Sequence, residues 1–225
     1  MQSTHRSRTG PVIAAIFAAL FCQAAPGQDA PAKDTQAREN KGMPPRATPA
    51  DYQAHGQAGA LVVAAEFAEH SVPTPEATFS TEDYVVIEVG FFGPPESKAK
   101  LSWENFSLRV NGKKAALPAQ GPTLVLRSLK DPEWAPPEKA ESKSKTSIGG
   151  NGQSEGSLPV IVHMPFELQR AMELKVQKAA LPEGERPLPA AGLIFFQYRG
   201  KSKGIRSLEL IYNGPAGQTS LFLHP

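Results

Sequence analysis

Residues 84–92, Tyr-Val-Val-Ile-Glu-Val-Gly-Phe-Phe, decide the fold class of this chain. Val85, Ile87, Val89 and Phe91 fall on one side of an extended segment, because side chains alternate across a strand with a period of two. Glu88 is expected on the opposite side. A helix would scatter the same residues around its circumference, so the stretch reads as a strand with one apolar face.

Similar runs lie on both sides of it. Residues 61–63, Leu-Val-Val, lead a first run towards Phe67. Phe106, Leu108 and Val110 share a face with Ser107 and Arg109 opposite, and that run stops at Asn111-Gly112. Both residues tolerate the positive φ of a tight type I′ turn, so residues 113–117 are expected to return antiparallel. Residues 123–128 read as a further strand with Leu124 and Leu126 inward. Residues 193–198, 205–212 and 219–223, joined by the glycine-bearing segments 199–204 and 213–217, read as a C-terminal three-strand meander.

A single helix interrupts the pattern. It starts at Pro165, places Leu168, Ala171, Met172, Val176 and Ala179 on one face, and ends near residues 181–184. About eight short strands with Gly and Pro punctuation and one helix predict a mainly β fold, an antiparallel immunoglobulin-like sandwich with one short covering helix. Its core is expected to draw on Val85, Ile87, Val89, Phe106, Leu108, Leu124, Leu126, Phe195, Leu208, Leu210 and Leu221. The segments 84–92 and 193–198 are expected to meet from opposite sheets.

The first 27 residues have a different character: Arg6 and Arg8, an apolar run from Pro11 to Cys22, then Ala25-Pro26-Gly27. A basic start, a short apolar run and a small-residue site read as a signal peptide, and the run falls short of the roughly 20 residues that span a bilayer. The chain is therefore expected to be secreted or periplasmic. Residues 28–57 have no apolar period and read as a flexible, disordered tether, followed by a sandwich domain over residues 58–225. A polar, Gly- and Ser-rich stretch at about 135–159 reads as a disordered surface loop inserted in that domain.

Removal of the leader takes away Arg6 and Arg8 and no acidic residue, leaving 22 basic against 22 acidic side chains. A balanced charge excludes whole-molecule attraction to nucleic acid. Cys22 is the one cysteine, so the exported domain has no disulfide and must be held by its core. Phe21 directly before Cys22 is too bulky for the small-residue context of a lipoprotein cut, so no lipid anchor is expected there.

Catalytic patterns are sparse. Gly152-Gln153-Ser154-Glu155-Gly156 matches the G-x-S-x-G elbow of hydrolases, but that motif needs a strand before it and a helix after it, and here it sits in the polar loop. Ser97-x-x-Lys100 and Ser142-x-x-Lys145 lack the companion elements of S-x-x-K enzymes. The histidines His5, His55, His70, His163 and His224 show no metal-ligand spacing, so no metal and no cofactor are expected. The remaining concentration of chemistry is Arg199, Lys201, Lys203 and Arg206 on one turn beside Phe195, Phe196 and Tyr198, a cluster that suits an anionic polymer.

Residues 192–196, Gly-Leu-Ile-Phe-Phe, and 207–215, Ser-Leu-Glu-Leu-Ile-Tyr-Asn-Gly-Pro, with the 84–92 strand and the 106–112 hairpin entry, resemble uncharacterised bacterial exported proteins with an immunoglobulin-like β-sandwich domain. The resemblance implies an extracytoplasmic β-sandwich and transfers no catalytic residue. The chain departs from antibody-type domains in lacking their cysteine pair. The functional expectation is an exported, non-enzymatic module that binds or scaffolds an envelope protein or polymer. An envelope polysaccharide or anionic polymer at residues 199–206 is the sharper alternative, and a secreted hydrolase using Ser154 is a third.

Overall fold

The computed structural model describes residues 40–135 and 164–225. Along the chain run β1 (Ala54–Ala58), β2 (Leu61–Phe67), β3 (Ser71–Pro73), β4 (Thr78–Thr81), β5 (Tyr84–Phe92), β6 (Lys98–Leu101), β7 (Phe106–Val110) and β8 (Leu117–Gln120). A short helix α1 (Pro122–Val125) precedes β9 (Leu129–Lys130), and α2 (Phe166–Ala179) precedes β10 (Gly184–Pro187). β11 (Ala190–Gln197), β12 (Leu208–Gly214) and β13 (Gly217–Leu223) close the chain. The protein is mainly β, and every ladder between these strands is antiparallel.

Eight strands form one continuous sheet in the order β1-β2-β5-β11-β8-β7-β12-β13. The sheet curls until its two ends stand side by side. A Cβ on Gly56 of β1 would lie 2.6 Å from Thr219 Oγ1 and 2.9 Å from Leu221 Cδ2 of β13, so a larger residue there would have to displace both side chains. β6 with β10, and β3-β4-β9, form two smaller sheets.

The expectation that 84–92 and 193–198 face each other across a sandwich is corrected: they are neighbours in the same sheet, with Ile87 opposite Ile194 and Val85 opposite Phe196. Their side chains fill two separate cores. Val85, Ile87, Val89 and Phe91 point inward with Phe106, Leu108, Leu208, Leu210 and Leu221. There the rings of Phe91, Phe106 and Tyr212 pack with centroids 5.1 to 5.9 Å apart. Tyr84 and Val86 of β5, with Leu193 and Phe195 of β11, point outward into a second core under Met172, Val176 and Ala179 of α2. Burying each such side chain stabilises the fold by roughly 1.5–3 kcal/mol.

Four further expectations change. Residues 123–128 are helical: Pro122 at the first turn with Gly121 before it starts α1, Leu126 joins the outer core, and Leu124 is 53 % exposed. Only the second half of the apolar face of α2 is covered, since Leu168 and Ala171 are exposed. The C-terminal meander is half right. β12 and β13 form a hairpin closed by Gly214 opposite Gly217, but β11 and β12 are separated by β8 and β7. Asn111 and Gly112 have φ of +54° and +66° as the turn demands, yet the returning strand starts only at Leu117 and meets β7 at two positions.

The second half of the supposed tether is ordered structure. Residues 54–57 lie in β1, and Met43 extends the sheet by bridging to Ala191 of β11. The leader, residues 28–39, Ser142, Ser154, His5, His163 and the inserted stretch beyond Ala135 lie outside the described residues.

Candidate functional site: the basic end of the sheet

Because β8 and β7 stand between β11 and β12, the chain from Gln197 to Leu208 must cross two strands at one end of the sheet. That is why a ten-residue loop, residues 198–207, occupies the place of a tight turn. Its backbone folds over Tyr198: a Cβ on Gly200 would sit 2.6 Å from the phenol oxygen. A single 3-10 turn follows at Ser202–Gly204, with Gly204 N donating to Lys201 O and Ile205 N to Ser202 O, both at 2.9 Å. Ile205 is buried in the inner core and holds the loop down.

Three anchors fix the loop laterally. Asn111 is the first and makes four hydrogen bonds. Its backbone N donates to Ser207 O at 2.9 Å, its Nδ2 donates to Gly204 O at 2.9 Å, and its Oδ1 accepts from the amides of Arg206 at 2.7 Å and Ser207 at 3.3 Å. His70, between β2 and β3, is the second, with Nε2 2.9 Å from Gly200 O and Nδ1 2.7 Å from Tyr84 O. At the third, Tyr198 N donates to Asp83 O at 2.8 Å and Arg199 Nε lies 3.3 Å from Asp83 Oδ1. The Arg199–Asp83 pair is open to water, so it contributes at most about 1 kcal/mol.

The anchored loop displays the cluster expected from sequence. Lys201, Lys203 and Arg206 are exposed and, among the described residues, have no ion-pair partner, whereas Arg199 is paired with Asp83. Through Asn111 the structure adds two cations that sequence reading missed, Lys113 and Lys114, exposed just after the Asn111-Gly112 turn. Asn111 and Gly204 are 93 residues apart in sequence, and nothing in the local pattern links the two lysines to the loop. The acidic residues near this end are Asp83, paired with Arg199, Glu82, paired with Lys130, Glu209, paired with Arg109, and Glu69, exposed beside His70.

A second charged cluster lies on the outer face of β2 and β5. Glu66 and Glu88 stand directly opposite each other in the ladder, an arrangement in which two carboxylates repel. Arg46 reaches between them, with Nη1 3.1 Å from Glu66 Oε2 and Nη2 3.2 Å from Glu88 Oε2, and its guanidinium lies 4.5 Å above the Tyr52 ring. Burial works against the Arg46 charge, but the hydrogen bond and attraction from Glu88, then Glu66, outweigh it and hold the group above its ordinary value. Tyr52 is also raised, mainly by burial, with its hydrogen bond from the Arg46 amide opposing. Glu88, expected on a wet face, is only 8 % exposed because the segment around Arg46 covers it. One guanidinium bridges the two carboxylates, so the cluster fastens the segment before β1 to the sheet.

Ser97 donates its hydroxyl to Pro94 O at 2.6 Å within a turn. Among the described residues no three His, Cys, Asp or Glu side chains gather as a metal site, and no helix is long and apolar enough to cross a membrane. No protein-family model matches the chain, and neither a curated protein nor a solved structure matches it.

Proposed function

We propose that this chain is an exported, non-enzymatic binding module that holds an acidic polysaccharide at the cell envelope through the basic end of its sheet. One observation carries the reading. The four hydrogen bonds of Asn111 join the 198–207 loop to the turn bearing Lys113 and Lys114, so Lys113, Lys114, Lys201, Lys203 and Arg206 belong to one hydrogen-bonded cationic end of the sheet. Long, exposed lysine side chains suit a repeating carboxylate or sulfate polymer, which needs charge without a shaped pocket. The signal-peptide reading of residues 1–27 and the resemblance to exported proteins with an immunoglobulin-like domain belong to the same proposal.

The test is binding of alginate and of dextran sulfate, with uncharged dextran as control, across a salt series. Binding should weaken steeply with salt, because exposed charges are screened beyond about 8 Å at physiological ionic strength. K201A/K203A should lower affinity about tenfold and flatten the salt dependence, as removing two contacts of about 0.5–1 kcal/mol each implies. Equal binding of uncharged dextran, or a double variant that binds like the wild type, refutes the reading. Tighter binding of a single-stranded oligonucleotide than of either polysaccharide reassigns the surface.

A further inference from the structure

The ring of His70 is held between two main-chain carbonyls, Tyr84 O at 2.7 Å from Nδ1 and Gly200 O at 2.9 Å from Nε2. A carbonyl oxygen only accepts. A neutral imidazole has one N–H and one lone pair, so it can satisfy one of these contacts while its lone pair opposes the other oxygen. Only the doubly protonated ring donates to both. The two carbonyls belong to regions far apart in sequence, the start of β5 and the basic loop, and the ring also lies over Tyr198 with centroids 6.5 Å apart. Its own backbone is fixed as well, because His70 O accepts from Thr81 N at 2.9 Å.

We infer that His70 is the positioning residue of the basic loop: with two protons it clamps Gly200 to Tyr84, and with one it lets go of one side. The charged and titratable groups on the elements packed around it are Glu69 on its own turn, Glu82, Asp83 and Tyr84 at the entry to β5, Lys130 paired with Glu82 from β9, and Tyr198, Arg199, Lys201, Lys203 and Arg206 on the loop. Histidine is the side chain whose charge ordinarily changes between about pH 5 and 8, so that is the interval over which the clamp is tested. The doubly protonated ring both seats the loop and adds a positive charge beside it. A polyanion bound there therefore favours proton uptake, and by reciprocity acid favours the polyanion. This consequence for affinity rests on the anionic-polymer reading given above; the clamp itself does not.

The experiment has two arms. In the first, ring-nitrogen NMR of the wild-type chain follows His70 from pH 5 to 8.5 while the amides of Gly200 and Gly204 are monitored. The expected result is a ring protonated at both nitrogens in acid, with the Gly200 amide shifting at the same midpoint as the ring. A ring with one proton throughout, or a Gly200 amide indifferent to it, overturns the inference. In the second arm, dextran sulfate is bound at fixed ionic strength at pH 5.5 and pH 8. Wild-type affinity should fall about two- to tenfold at the higher pH, the worth of one hydrogen bond. H70Q should lose that fall, and H55Q/H224Q, which removes the two other described histidines, should keep it. An H70Q chain that keeps the wild-type fall rejects the coupling. If dextran sulfate fails to bind at either pH while His70 and Gly200 titrate together, the polymer reading fails and the clamp stands.

Discussion

β5 and β12 belong to one sheet yet are written differently. Eight of the nine residues of β5 are buried, whereas β12 buries only alternate positions along Leu208, Leu210 and Tyr212. The difference lies in how many faces are covered. β5 and β11 have the inner core on one side and the α2 layer on the other, so both sets of side chains are apolar except at Glu88, which the Arg46 segment covers. β7, β12 and β13 have the core on one side and water on the other, which leaves Ser107, Arg109, Glu209 and Ser220 outward. A strand alternates visibly only where one of its faces is wet.

The largest effects should come from the doubly covered half. Phe195→Ala, beneath α2, and Phe196→Ala, in the inner core, should each destabilise the protein by about 3–5 kcal/mol in urea unfolding. Phe222→Ala, outward on β13 and 66 % exposed, should stay within about 0.5 kcal/mol. A small loss at Phe195 would mean that the α2 layer is not a core, and the contrast between the two halves would disappear.

Arg46→Ala comes next. It leaves Glu66 and Glu88 opposed without a cation and should cost about 1–3 kcal/mol. In an E66Q/E88Q background the same change should cost distinctly less, a double-mutant comparison that isolates the carboxylate repulsion. Asn111→Ala tests the open half at its end. It removes three of the four contacts to the loop and places a non-glycine side chain without compensation at φ +54°, for about 1–2 kcal/mol. Hydrogen exchange at Ser207 should accelerate in that variant while the Tyr84–Phe92 amides stay protected.

Alkaline pH should give the smallest effect. Burial raises Tyr52 and, against an opposing hydrogen bond from the Ala216 backbone, Tyr212. Phenols raised in the folded state ionise first in the unfolded chain, so their contribution is complete below the ordinary tyrosine value of about 10 and is lost as pH climbs through the folded values. Melting temperature should therefore decline above about pH 10, and less steeply in Y52F/Y212F.

Much of the inner core was legible from sequence because it depends on a period of two. Val85, Ile87, Val89, Phe106, Leu108, Leu208, Leu210 and Leu221 all lie in it. Pairing was harder to read. β11 and β12 look like consecutive members of a meander because glycines punctuate the link, yet long-range pairing inserts β8 and β7 between them. Segment 123–128 has the apolar spacing of a strand, but Pro122 and the outer core favour a helical turn. Of the basic surface, residues 199–206 were visible as a run, while Lys113 and Lys114 join it only through the tertiary bonds of Asn111. His70 gave no signal at all, since its meaning lies in two carbonyls distant from it in the chain.

The close approach at Gly56 reaches beyond packing. With the first and last strands of the ribbon laid against each other, each rim is shielded by the other's side chains, which limits the hazard that every open sheet carries. A bulky residue at that seam would push the two rims apart and expose both together.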